Sequence, residues 1–164
     1  MRHHIIKIPI ILFLLTATLS CNEANGYKQD KNNNYYVTKV VDGDTFWANN
    51  GAEKDIKVRL IGIDAPESRK TGKKEIGYFG KEAKDYLTKL LSEKYVKLVS
   101  DVDSLDRYGR TLAYVYLQNG MFVNAELVQN GYAVVMTIPP NVKYADLFLK
   151  LQTQARENKR GLWN

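Results

Sequence analysis

The chain has 164 residues, 45% of them hydrophobic, enough for one domain with its own core and too apolar for a disordered tail. Lys and Arg number 24 against 18 Asp and Glu, a formal charge of +6; this favours an anionic partner, although an ordinary basic surface gives the same balance. The single cysteine, Cys21, excludes an intramolecular disulfide, so the domain must stand on its core.

Residues 1–20 carry Arg2, Lys7 and no acid, and an apolar run from Ile8 to Leu15 is interrupted only by Pro9. This is the pattern of a secretory signal, too short to span a membrane as a stable helix. The ending Thr18-Leu19-Ser20-Cys21 resembles a bacterial lipoprotein signal, which implies a lipidated Cys21 and attachment to the outer face of a membrane. Such signals place Leu three residues before the cysteine; here Thr18 stands there and Leu19 is one place late. Plain cleavage with secretion, or a retained anchor, therefore stays open. Residues 21–34 are polar, with three consecutive Asn and Gly26, and read as a flexible tether.

The domain spans 35–164. Residues 35–41 form a β-branched and aromatic run, Asp42-Gly43 signals a turn, and 45–48 return as a second strand. Residues 56–60 alternate, with Lys57 and Arg59 on one face and Ile56, Val58 and Leu60 on the other. Residues 68–80 are loop-like and basic, with Arg69, Lys70, Lys73 and Lys74. Ala83, Tyr86, Leu87, Leu90 and Leu91 then recur at helical spacing. Strands follow at 95–99 and 110–117. Asn124 is placed to cap a short helix through Val128, closed by Gly131. Residues 132–138 are extended up to Pro139-Pro140. Tyr144, Leu147, Phe148, Leu151 and Ala155 mark a last helix, and Leu162-Trp163 folds back as an apolar latch. The pattern predicts an α+β fold: a five-stranded barrel of the oligonucleotide-binding type with three helices packed around it, acting as a monomer.

The polar residues that interrupt the apolar runs carry the chemistry. Singly, each has a structural reading: Asp42-Gly43 is a common hairpin turn, Arg59 can pair with any acid, and Asp64-Ala65-Pro66 opens a loop. Together, Asp44, Asp64 and Glu67 form a set of hard oxygen donors that suits Ca²⁺ better than a soft metal. Arg59 and Arg110 would face one anionic centre, and the guanidinium fork matches phosphate oxygens. Tyr108 in Asp106-Arg107-Tyr108-Gly109-Arg110 reads as a rim aromatic.

The motifs Asp42-Gly43-Asp44-Thr45, Arg59-Leu60-Ile61-Gly62-Ile63-Asp64-Ala65-Pro66-Glu67 and Tyr108-Gly109-Arg110 resemble those of the staphylococcal (thermo)nuclease family. Val123-Asn124, Leu127-Val128 and Gly131-Tyr132-Ala133 are similar to its following segment. The resemblance implies an exported, Ca²⁺-dependent phosphodiesterase acting on DNA and RNA with little sequence specificity, leaving 3′-phosphate and 5′-hydroxyl ends. It implies Ca²⁺ held by the Asp44 and Asp64 carboxylates and the Ala65 carbonyl. Glu67 would serve as general base or position the water, and Arg59 and Arg110 would hold the scissile phosphate. Tyr108, Tyr132, Lys70 and Lys73 are candidate substrate contacts. Where relatives often place a tyrosine after the Gly131-like glycine, this chain has Thr137. The rival reading is an oligonucleotide-binding module without catalysis, which would have little need for all five of Asp44, Asp64, Glu67, Arg59 and Arg110.

Overall fold

The structure, a computed structural model, describes residues 34–70, 72 and 75–164. The expected signal and Cys21 modification, and the candidate contact Lys73, lie outside the described residues; of the expected tether only Asn34 is described, at the start of the first strand.

Among the described residues seven strands and three helices follow in the order β1 (Asn34–Asp42), β2 (Thr45–Asn49), β3 (Ile56–Leu60), β4 (Ile63–Asp64), α1 (Gly80–Leu91), β5 (Tyr95–Val99), β6 (Thr111–Leu117), α2 (Val123–Gln129), β7 (Val134–Val135) and α3 (Ala145–Glu157). A 3-10 turn over Gly161–Trp163 ends the chain. Five strands close a barrel in the order β1-β2-β3-β6-β5. All pairings are antiparallel except β3–β6, which aligns Val58 with Thr111 and Leu60 with Ala113. The barrel closes through the short β1–β5 ladder, from Asn34 opposite Lys97 to Tyr36 opposite Tyr95. This is the expected five-stranded barrel with three helices.

The alternation along each strand fills its interior. Val37, Phe46, Ala48, Val58, Leu60, Val96, Ala113 and Val115 are buried as the inward set of the pleat, and on β6 the intervening Tyr114 is buried as well, against Phe122, Tyr144 and Phe148. The helix α1 lays Ala83, Leu87 and Leu91 on the core, the spacing its sequence shows. Phe148 of α3 and Leu127 of α2 close the other flank.

Two expectations need correction. Asn124 caps nothing: the N-cap of α2 is Phe122, without a side-chain bond. Asn124 is instead fully buried. Its Oδ1 accepts from Val115 N at 2.9 Å and its Nδ2 donates to Ile61 O at 2.9 Å, pinning the turn after β3 to β6. Secondly, the extended segment after Gly131 forms a ladder only at Val134–Val135, because its partner β4 offers just two residues, Ile63 and Asp64. The terminal turn does fold back: Leu162 N donates to Gly131 O at 2.9 Å, and the Arg156 guanidinium sits 4.3 Å over the Trp163 ring.

Candidate active site

A cleft of about 880 Å³ opens at one rim of the barrel, lined by Asp44, Arg59, Asp64, Ala65, Glu67, Tyr108 and Arg110 among others. Residues far apart in sequence meet here because β1–β2, β3–β4 and the turn before β6 all end at this rim.

Asp44 stands at the start of β2, 7% exposed. One carboxylate oxygen accepts from the Thr45 hydroxyl at 2.8 Å and the other from Ala65 N at 2.9 Å. Burial pushes its carboxyl above the ordinary value; Arg59, the Ala65 N–H and the Thr45 hydroxyl pull the other way without cancelling it, and the charge of Asp64 adds to the rise. Arg59 reaches both acids. Its Nη1 lies 2.9 Å from Asp44 Oδ2 and its Nη2 2.7 Å from Asp64 Oδ1. Nη1 also donates to Ile63 O at 2.9 Å. This leaves the Nε–H and one Nη2–H of Arg59 with no protein partner among the described residues. A guanidinium held on one edge by two carboxylates keeps the other edge fixed for two oxygens of an oxyanion.

Asp64 is half exposed at β4, and its carboxylate and that of Asp44 share the Arg59 fork. Two carboxylates with the Ala65 backbone between them give hard oxygen donors, with no thiolate or imidazole to favour a softer ion. That set fits a Ca²⁺-like cation, although the described residues contain no cluster of three or more acidic, His or Cys side chains at metal-binding distance. Such a cation would need water or substrate oxygens to complete its shell.

Glu67 lines the same cleft, and its backbone is tightly held. Gly77 N donates to Glu67 O at 2.9 Å. A Cβ on Gly80, the first residue of α1, would come 2.2 Å from that same oxygen, so only glycine lets the helix approach this closely. From the other side, Asp42 Oδ1 accepts from Gly43 N at 2.9 Å and from Ser68 N at 3.1 Å. Asp42 thus ties the segment after Glu67 to the β1–β2 turn, a positioning role its place in an Asp-Gly turn conceals.

Arg110 is set by Asp106. Arg110 Nε donates to Asp106 Oδ2 at 2.6 Å, while Arg110 N and Tyr108 N both donate to Asp106 Oδ1 at 2.9 Å. Burial alone would raise the Asp106 carboxyl, but these three bonds and the Arg110 charge outweigh it and hold its pKa below the usual value. The two Nη groups of Arg110 carry no hydrogen bond from the described residues. Tyr108, 69% exposed, stands at the rim with the Arg107 and Arg110 guanidiniums 4.7 and 5.6 Å from its ring centre. The sequence reading gave Asp106 no role; its spacing four residues before Arg110 around Gly109 is the signal that could have shown it.

The other candidates lie elsewhere. Tyr132 is outside the cleft lining, stacked between Tyr86 at 4.0 Å and Phe79 at 5.4 Å. Lys70 pairs with Glu75 at 2.6 Å on an exposed loop, also outside the cleft. Near Thr137 the cleft wall is aliphatic, built by Met136, Ile138, Pro139 and Pro140.

The family model described as "Staphylococcal nuclease homologue" matches residues 57–164; Asp44 and the first two strands precede the match. The chain is 39% identical over 129 residues to a thermonuclease of Staphylococcus intermedius, covering 79% of this chain and 75% of that protein. It is 38% identical over 130 residues to a thermonuclease of Staphylococcus hyicus, with coverage of 79% and 75%. An uncharacterized endonuclease of Escherichia coli is 32% identical over 157 residues, covering 96% of this chain and 88% of the relative.

Proposed function

This chain belongs to the staphylococcal nuclease family, and from that premise we propose that it is an exported, Ca²⁺-dependent phosphodiesterase that cuts DNA and RNA with little sequence specificity. It is a nuclease acting on nucleic acids; the metal, the ends it leaves and its location are the finer parts of the proposal.

One observation carries the reading: two arginines, Arg59 held by Asp44 and Asp64 and Arg110 held by Asp106, share a cleft with Glu67. The free guanidinium edges of Arg59 and Arg110 grip the non-bridging oxygens of a phosphodiester and oppose the charge that builds on them during in-line attack. The Glu67 carboxylate accepts the proton of the attacking water. As the water oxygen bonds to phosphorus the P–O5′ bond breaks and the departing O5′ takes a proton from solvent, leaving a 3′-phosphate and a 5′-hydroxyl. Asp44, Asp64 and the Ala65 carbonyl would hold Ca²⁺, which when bound supplies further charge stabilisation at the phosphate. Base contacts would come from Tyr108 and the aliphatic wall, neither of which reads base identity. We further propose that it acts as a monomer.

Export rests on the secretory pattern of residues 1–20 and attachment on Cys21. Cys21→Ala should release the protein from a membrane fraction or block its processing; a mature N-terminus elsewhere than Cys21 would rule out lipidation.

The deciding assay incubates the protein with plasmid and with RNA, first in Ca²⁺ and then in excess chelator. Cleavage of both that stops on chelation is expected; undiminished cleavage in chelator would remove the metal from the reading. Glu67→Gln should still bind nucleic acid while cutting at least about 10²-fold more slowly. Turnover close to that of the parent would overturn the assignment of the base.

A further inference from the structure

Beside the cleft runs a line of side chains that the reaction does not use. Lys39 pairs with Trp47 across β1 and β2, and Trp47 pairs with Lys57 across β2 and β3. Residues paired across strands project from the same face of a sheet. Phe46 and Ala48, on either side of Trp47, fill the barrel interior, so the row stands on the outside. Lys39 is exposed, and Trp47 and Lys57 are half-buried. Lys57 Nζ lies 5.8 Å from the indole ring centre. No ion pair among the described residues engages Lys39 or Lys57. The row also joins the cleft. Lys57 is two residues before Arg59 on β3, hence on the same face and roughly 7 Å away along the strand, and it lines the cleft with Arg59.

We propose that Lys39, Trp47 and Lys57 form a polynucleotide subsite leading out of the cleft. One base of the strand flanking the scissile phosphate stacks on Trp47, and the adjoining phosphates lie against Lys57 and Lys39. The chemistry matches a single strand. Every base has a π-face, so an indole accepts any of them. Ammonium groups on flexible stems serve as point charges for a backbone of variable path. An indole kept on the sheet only to cover apolar surface would, when removed, change the binding of long and short substrates equally. The subsite rests on the nuclease reading, and the test separates the two.

Binding is measured in the Glu67→Gln background, so that substrate survives, with a labelled dinucleotide and a long oligodeoxythymidine strand. Trp47→Ala should weaken the long strand about 5- to 150-fold, the range for one lost stacked base. Trp47→Phe, which keeps an aromatic face and the barrel packing, should restore most of that loss. Lys39→Gln, at an exposed position, should lower the slope of log affinity against log salt by about 0.7 for the long strand. The dinucleotide should be affected by less than about twofold in each case. Equal losses on both ligands, or unchanged long-strand binding in Trp47→Ala, would overturn the subsite while leaving the nuclease reading intact. If the parent chain cuts no nucleic acid in any metal, the nuclease reading itself fails.

Discussion

Asp106 touches no substrate in the proposed reaction, yet Asp106→Asn should impair it severely. The carboxylate receives Arg110 Nε at 2.6 Å and two backbone N–H groups at 2.9 Å. Asparagine can keep one oxygen on the two backbone donors. Its amide nitrogen then faces Arg110 Nε, donor against donor, and the charge-assisted bond is gone. A hydrogen bond to a charged group contributes about 1.5–3 kcal/mol. If that energy serves to hold Arg110 at the phosphate, kcat/KM falls about 10- to 150-fold, since roughly 1.4 kcal/mol is tenfold. The loss should vanish in an Arg110→Ala background, where nothing remains to orient: a double-mutant cycle isolates this coupling. The pH dependence has a defined sign. Against the opposing effect of burial, its bonds to Arg110 and Tyr108 hold the Asp106 carboxyl below the ordinary aspartate value of 3.8, so its stabilisation is complete above about that pH. It disappears as pH falls through the lower, folded value. The difference in urea midpoint between parent and Asp106→Asn should therefore be constant from neutral pH down to about 4 and shrink below. Additive losses in the cycle, or a kcat/KM within threefold of the parent, would refute the positioning role.

Three further outcomes are expected. Asn124→Ala leaves Val115 N and Ile61 O buried without their partner, and at about 1–3 kcal/mol for each orphaned group it should lower the urea midpoint sharply. Gly80→Ala forces a Cβ against Glu67 O; overpacking of this kind costs about 1–3 kcal/mol, and kcat should fall with it because Glu67 must shift, whereas a variant destabilised without loss of kcat would contradict the packing argument. The wild type should bind single nucleotides weakly and lose activity steeply with salt, since the cleft wall near Thr137 is aliphatic and, apart from the exposed rim Tyr108, the remaining contacts are charges; tight, salt-insensitive binding of a nucleoside bisphosphate would contradict this.

The parts of the site that sequence made legible are those set by short-range pattern. Alternation over residues 56–60 put Arg59 on the face opposite Val58 and Leu60, and the structure buries Val58 and Leu60 while Arg59 lines the cleft. Helical spacing from Ala83 to Leu91 located α1 for the same reason: one period decides which side meets the core. What stayed hidden depends on contacts between distant segments. An asparagine ahead of an apolar run reads as a cap, but Asn124 satisfies backbone groups 9 and 63 residues away, and local sequence carries no trace of that. Tyr132 follows a glycine in a familiar motif, yet its neighbour is Tyr86, one helix away, at 4.0 Å. Asp42 was legible as a turn residue; that it also holds Ser68 N requires the loop after Glu67 to return to the β1–β2 turn.

The least economical feature of the barrel is Asp44, a carboxylate almost wholly removed from water whose ionised form is opposed by burial. A core chosen for stability alone would place an apolar side chain there, because pairing a buried charge rarely does better than break even. Arg59 offsets part of the penalty, but it divides its fork between Asp44 and Asp64 and leaves its remaining donors to the cleft. The under-compensated acid and the partly used arginine are complementary demands on the same visitor. On the proposed reading, a substrate phosphate would complete the arginine and a hard cation the carboxylates. Each would then favour the other's arrival, and the rim would be most stable with both present. The strain of keeping Asp44 buried thus makes sense as preorganisation: the donors are already aimed when the phosphodiester enters, and none has to be reoriented as charge develops on phosphorus.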